Sequence, residues 1–203
     1  MSYLVDRGKT FKDSNVIYLV ISNLIAGGIS GSIPFPSSAY YIVVAFITFI
    51  EIGICRYWWS HTTDNDTKYN DLTVFLMLIT IGVMSCIPLF RLTLHSTLFF
   101  SVLAIYLIVF SISFYKRREM LKSFINPQGS KLVLGLSVFM VVLIIIGNLS
   151  FRKGEEQILA LLMGENIAIF WGCFLMFLLG LFFTFLAPPF LATKGKFKKG
   201  GGY

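Results

Sequence analysis

Charge is the first thing this sequence lacks: Asp, Glu, Lys and Arg make up 13% of 203 residues, against 56% hydrophobic ones. A soluble domain covers its surface with about a quarter charged residues, so an aqueous fold is excluded and lipid becomes the solvent. Histidine is nearly missing as well. His61 and His95 are the only two, and they flank opposite membrane faces, so they cannot share a site. Cys55, Cys86 and Cys173 lie within or beside apolar runs without C-x-x-C spacing, which reads them as small buried hydrophobes and not as a disulfide frame. P-loop and H-E-x-x-H elements and carboxylates paired across a substrate are absent too, so no catalytic residue, cofactor or metal is expected. The polar segments are short, which leaves no room for a second folded domain. The first apolar run leads into Gly-rich sequence and a proline turn with no small-residue cleavage pattern, so the start is expected to stay in the mature protein.

What is present is a set of six apolar runs, 16–33, 39–59, 72–90, 98–115, 132–149 and 167–187. Each approaches the roughly 20 residues that cross a hydrocarbon core. The expected fold is an all-α integral membrane protein with six transmembrane helices in one bundle over 16–190. A cytoplasmic segment 1–15 precedes it and a basic, Gly-rich tail 191–203 follows. The second run organises the rest, because it ends in the interfacial cluster Arg56, Tyr57, Trp58, Trp59 and carries Glu51, the one carboxylate inside a long apolar stretch.

Taken in order, 16–33 is the least regular run. Asn23, Gly27 and Gly31 recur every four residues and share a face, which suits close helix packing or a broken helix lining a cavity. Pro34 to Ser37 should close a tight antiparallel hairpin. Ser60 to Asp71 is polar and belongs in water. Pro88 offers a kink or a stop to the third run. Lys116, Arg117 and Arg118 form a basic stop after the fourth, with Glu119 to Ile125 expected along the interface. The fifth run is a Val, Leu and Ile stretch, lipid-facing or deeply packed. Residues 150–166 suggest a short amphipathic helix on the outer leaflet. Gly172 and Gly180 share a face of the sixth run, which ends at Pro188-Pro189.

Fourteen of the 17 Lys and Arg residues fall on one side if both termini are cytoplasmic, leaving only Arg91, Arg152 and Lys153 outside. That bias follows the positive-inside rule. It also accounts for the net charge of +7 through anionic lipid, without nucleic acid.

Glu51 stands eight residues before Trp59, about 12 Å below the inner interface. A carboxyl there must pair with a base, hold a proton and hydrogen bonds, or line an ion path. Arg56 lies about 500° further round the same helix, which puts it on a different face.

Gly28-Ile29-Ser30-Gly31 spells G-x-S-G, the pattern around the nucleophile of the six-span rhomboid intramembrane proteases. Here Ser30 falls in the first run, not the fourth, and runs four to six hold no His to activate it. In size alone the chain resembles the substrate-binding subunits of energy-coupling-factor vitamin transporters. In size and layout it is similar to small multi-span subunits of bacterial anti-phage modules.

The expectation is therefore a non-enzymatic membrane subunit of a bacterial inner membrane, acting as scaffold, sensor or anchor. Its partners would be the bilayer and a second copy or a cytoplasmic protein. Lys116, Arg117, Arg118, Lys196, Lys198 and Lys199 would be its basic docking face. The alternative is a small transporter or channel with Glu51 and Asn23 in the path.

Overall fold

The structure is a computed structural model that describes residues 11, 14–62, 66–125, 130–148, 152–153, 156–157 and 164–192. The helices are α1 (Val16–Ser32), α2 (Ser38–His61), α3 (Asp66–Thr93), α4 (Leu98–Ile125), α5 (Lys131–Asn148) and α6 (Glu165–Leu186), the last followed by a 3-10 turn at Pro188–Leu191. Four of them, α2, α3, α4 and α6, are long and apolar enough to cross a membrane, while α1 and α5 are shorter apolar helices. The protein is membrane-embedded on that composition. In hydrocarbon only a helix satisfies its own backbone polar groups, which is why apolar runs of this length fold as they do.

Several boundaries differ from the sequence reading. The polar stretch before the third run does not all lie in a loop, because Asp66–Asp71 forms the first turns of α3. Pro88 does not stop that helix: it is buried, and α3 continues to Thr93. The basic stop does not end α4 either. The helix runs on through Lys116, Arg117 and Arg118 to Ile125, 28 residues in all, so Glu119–Ile125 continues α4 and is not a separate helix. Long basic stems tolerate a helix well, and nothing in 116–125 breaks one. The charged start of 150–166 pairs as two-residue strands, Arg152 opposite Gln157 and Lys153 opposite Glu156, where an amphipathic helix was expected. Residues 158–163 lie outside the described residues, as do Lys196, Lys198 and Lys199.

The helix at the centre is α3, not α2. It packs most extensively on α6, then on α1, and also touches α2, α4 and the 3-10 turn. Glycine sets the α3–α6 approach. A Cβ on Gly180 would stand 2.6 Å from the Gly82 carbonyl oxygen, so neither backbone can come this near with a larger residue in place. Cys86, Leu89, Cys173 and Phe177 fill the rest of that seam. Phe90 joins it to α4, meeting Phe99, Tyr106 and Phe177 edge-on at 6.0 to 6.1 Å. Lower down, the Ser113 hydroxyl donates to the Phe185 carbonyl at 2.5 Å, satisfying an orphan acceptor in the last turn of α6. The fifth helix sits at the edge, packed mainly against α4 and α6, with Leu134, Val138, Val141 and Ile144 exposed. Of the two sequence readings for it, the lipid-facing one describes its surface.

Candidate functional site

The polar interior lies where α1, α2 and α3 meet. Helical spacing puts Asn23 on α1, Glu51 on α2 and Thr80 on α3 at one level. The Asn23 amide nitrogen donates to Glu51 Oε2, and the Thr80 hydroxyl donates to Glu51 Oε1. All three side chains are buried, with Glu51 at 4% exposure and Asn23 at 0%. The two candidates singled out in sequence are thus neighbours. Thr80 is the member that sequence reasoning missed, since a lone threonine in a span carries no signal of its own.

Apolar layers close the site along the bundle axis. On one side Leu19, Cys55 and Tyr69 pack with Trp58, Trp59 and Met77. On the other, Ala26, Tyr40, Val44 and Met84 pack with Ile47 and Ile81. Thr48, one turn before Glu51, is buried and returns its hydroxyl to the Val44 carbonyl at 2.9 Å. No basic side chain reaches Glu51 among the described residues.

The small-residue stripe of α1 makes this convergence possible. The helix is unbroken through Gly27 and Gly31, which removes the broken-helix alternative. Gly27 lies against Val44, and a Cβ on Gly31 would come 2.6 Å from the Tyr41 ring. Gly180 lies at the α3–α6 crossing, whereas a Cβ on Gly172 would meet nothing within 4 Å.

A second polar feature locks the end of the hairpin. Arg91, in the last turn of α3, donates to the carbonyls of Phe35 at 2.7 Å and Ile33 at 3.2 Å, and more distantly to Ser30 at 3.5 Å. These are carbonyls at and just beyond the end of α1, where a cation is favoured. The same guanidinium stands 5.8 Å from the centre of the Tyr40 ring. Arg91→Ala is expected to lower stability by about 2 kcal/mol, the scale for hydrogen bonds to a charged group. Arg91→Lys should recover less than half of that, because a shorter side chain ending in a point charge lacks the rigid two-nitrogen fork that reaches both carbonyls. Melting the three proteins side by side in detergent checks this, and an unchanged Ala variant would show the clasp to be idle.

Ser30 of the G-x-S-G sequence is fully buried near this end. His61 is exposed at the far end of α2, whereas His95 is exposed in the α3–α4 turn, four residues past Arg91 and so at the same end of the bundle as Ser30. Among the described residues no three His, Cys, Asp or Glu side chains cluster as metal ligands. At the other end of the bundle, Arg117 lies 4.5 Å over the Phe114 ring, and Lys116 and Arg118 are exposed. Beside them a cleft of about 210 Å³ is lined by Asp71, Leu121, Phe124, Ile125, Pro189, Phe190 and Ala192. No protein-family model, curated protein or solved structure matches this chain.

Proposed function

We propose that the protein is a non-enzymatic membrane subunit with six spans and cytoplasmic termini, working as scaffold, sensor or anchor by assembling with a cytoplasmic protein or a second copy. The observation that carries this reading is the closure around Glu51. Both carboxyl oxygens are taken by side chains of neighbouring helices, with apolar layers on either side. A translocation path needs its acid to meet water or a passing ion, and this arrangement favours a fixed interhelical tie.

The six-span topology rests on the charge bias, together with α1 and α5, whose 17 and 18 residues reach about 25 Å and 27 Å. Modest bilayer thinning accommodates that length. The exposed basic turn at Lys116 and Arg118, continued by the rest of α4 and the apolar cleft, supplies charge and apolar surface for a partner on the cytoplasmic side.

Purification of the whole protein in mild detergent tests the proposal, with identification of what accompanies it. A stoichiometric soluble partner or a defined homo-oligomer is the expected result. A lone monomer whose reconstituted vesicles pass ions, with the flux abolished by Glu51→Gln, would overturn it in favour of transport. Topology has its own check. An impermeant thiol reagent on intact cells should label a cysteine at Ser37 and spare one at Thr193, and equal labelling of both would refute the six-span map. The native cysteines are buried and do not interfere.

A further inference from the structure

Resting on the assembly reading above, we propose that the cleft where the end of α4, the start of α3 and the 3-10 turn meet seats a large apolar side chain carried on an acidic segment of a cytoplasmic protein. The apolar surface here lies in the wrong place for lipid. Tyr115 closes the apolar run of α4, and Leu121 and Ile125 in the cleft wall stand about 9 Å and 15 Å further along the helix axis. Lys116, Arg117 and Arg118 come between. A phospholipid whose phosphate meets those bases has its acyl chains on the side away from the cleft, so lipid leaves Leu121 and Ile125 uncovered. Ile125 is 48% exposed, and apolar surface open beyond the hydrocarbon marks a place for a protein partner.

The cleft is preformed. Pro188 and Pro189 are buried and fix the turn on one side, and α4 packs directly on that turn, with Met120 fully buried. Apart from Asp71 the lining is apolar. Its volume of about 210 Å³ falls below the roughly 300–1,000 Å³ of clefts that hold small molecules. That is the scale of a pocket for an anchoring side chain, the element that carries most of the energy of a protein interface.

Charge selects what flanks the anchor. The last ten residues of α4 carry Lys116, Arg117, Arg118 and Lys122 against one acid, Glu119, and the chain beyond Ala192 carries Lys194, Lys196, Lys198 and Lys199 and no acid. The start of α3 adds Asp66 and Asp71 against Lys68, which leaves the surroundings basic. An acidic segment is steered to such a surface and a basic one is repelled.

The test places a photoreactive group in the cleft of the full-length protein, as Phe124→p-benzoylphenylalanine, in the cells that make it. Irradiation should give an adduct with a cytoplasmic protein, mapped by mass to a segment of net negative charge that carries a large apolar side chain. That segment, made as a peptide, should bind the purified protein about tenfold more weakly in ~1 M than in ~0.1 M salt. Arg118→Glu and Ile125→Glu should each weaken it by about tenfold or more. Both positions are exposed, so both variants should fold, and an unchanged melting temperature verifies it. An adduct confined to residues 193–203 of this chain, to a second copy, to a phospholipid or to a neutral or basic segment would overturn the proposal, as would no adduct at all. Failure of the assembly reading looks different. If the parent co-purifies with a companion that Ile125→Glu also keeps, assembly stands and the cleft is not its seat, whereas a lone parent monomer removes assembly itself.

Discussion

Replacing Gly180 with valine is expected to separate α3 from α6 and lower stability by about 3 kcal/mol, the upper range for forcing bulk into a packed interior. The added Cβ would meet the Gly82 carbonyl oxygen at 2.6 Å and the Cys86 sulfur at 2.5 Å. A flexible side chain can swing aside, but a helix carbonyl cannot, so the two helices must part along the whole seam. The same seam carries Phe177 and Phe90, and through Phe90 the contact to α4, so half the bundle loosens with it. Gly172→Ala is the matched control. It stands on the same helix with nothing within 4 Å of the new methyl, and removing a mid-helix glycine should stabilise by about 0.5 kcal/mol. Melting temperature and elution profile in detergent separate the two. Equal behaviour of both variants would mean that the close approach at Gly82 does not hold the fold.

Glu51→Ala should be the next most damaging change, by about 3 kcal/mol, since it opens a cavity and strands two buried donors at once. Each interhelical hydrogen bond in a bilayer contributes only about 0.6 kcal/mol on average, so most of the loss comes from the void and from the unpaired Asn23 and Thr80 groups. Glu51→Gln keeps the volume and one acceptor and should stay within about 1 kcal/mol of the parent. Comparing the pair by thermal unfolding isolates the contacts from the charge. If alanine and glutamine melted together, the three-helix contact would be incidental to stability.

The sequence carried the apolar runs and the two polar residues that matter most in them. Hydropathy reports transfer into lipid, and a lone Glu or Asn stands out because its presence there is expensive. Where the helices end was less visible. Asn126-Pro127-Gln128-Gly129 does mark a break just after Ile125, but nothing in composition marks Asp66 as a helix start, because polar residues outside the hydrocarbon propagate a helix as readily as they leave it. The partner Thr80, the clasp at Arg91 and the central place of α3 were illegible for a different reason. Each depends on which face of one helix meets another, and Leu, Ile and Phe are equally at home against lipid and protein, so a membrane span gives a weaker inside-outside pattern than a soluble helix. Gly82 shows this most plainly. Nothing in its run sets it apart, while its counterpart Gly180 stands out in sequence through its spacing to Gly172, a residue that the crossing does not use.

The position of α3 between the α1–α2 hairpin and α6 carries a consequence for biosynthesis. When Glu51 emerges from the ribosome, Asn23 is already available on the preceding helix, but Thr80 has not yet been made. The hairpin must therefore enter the bilayer with its acid half-satisfied, and only the arrival of the third helix completes the set and brings Arg91 to the waiting carbonyls of Ile33 and Phe35. A nascent chain stalled before Thr80 should accordingly linger at the insertion machinery, and release into lipid should follow within a few residues of Arg91 leaving the exit tunnel.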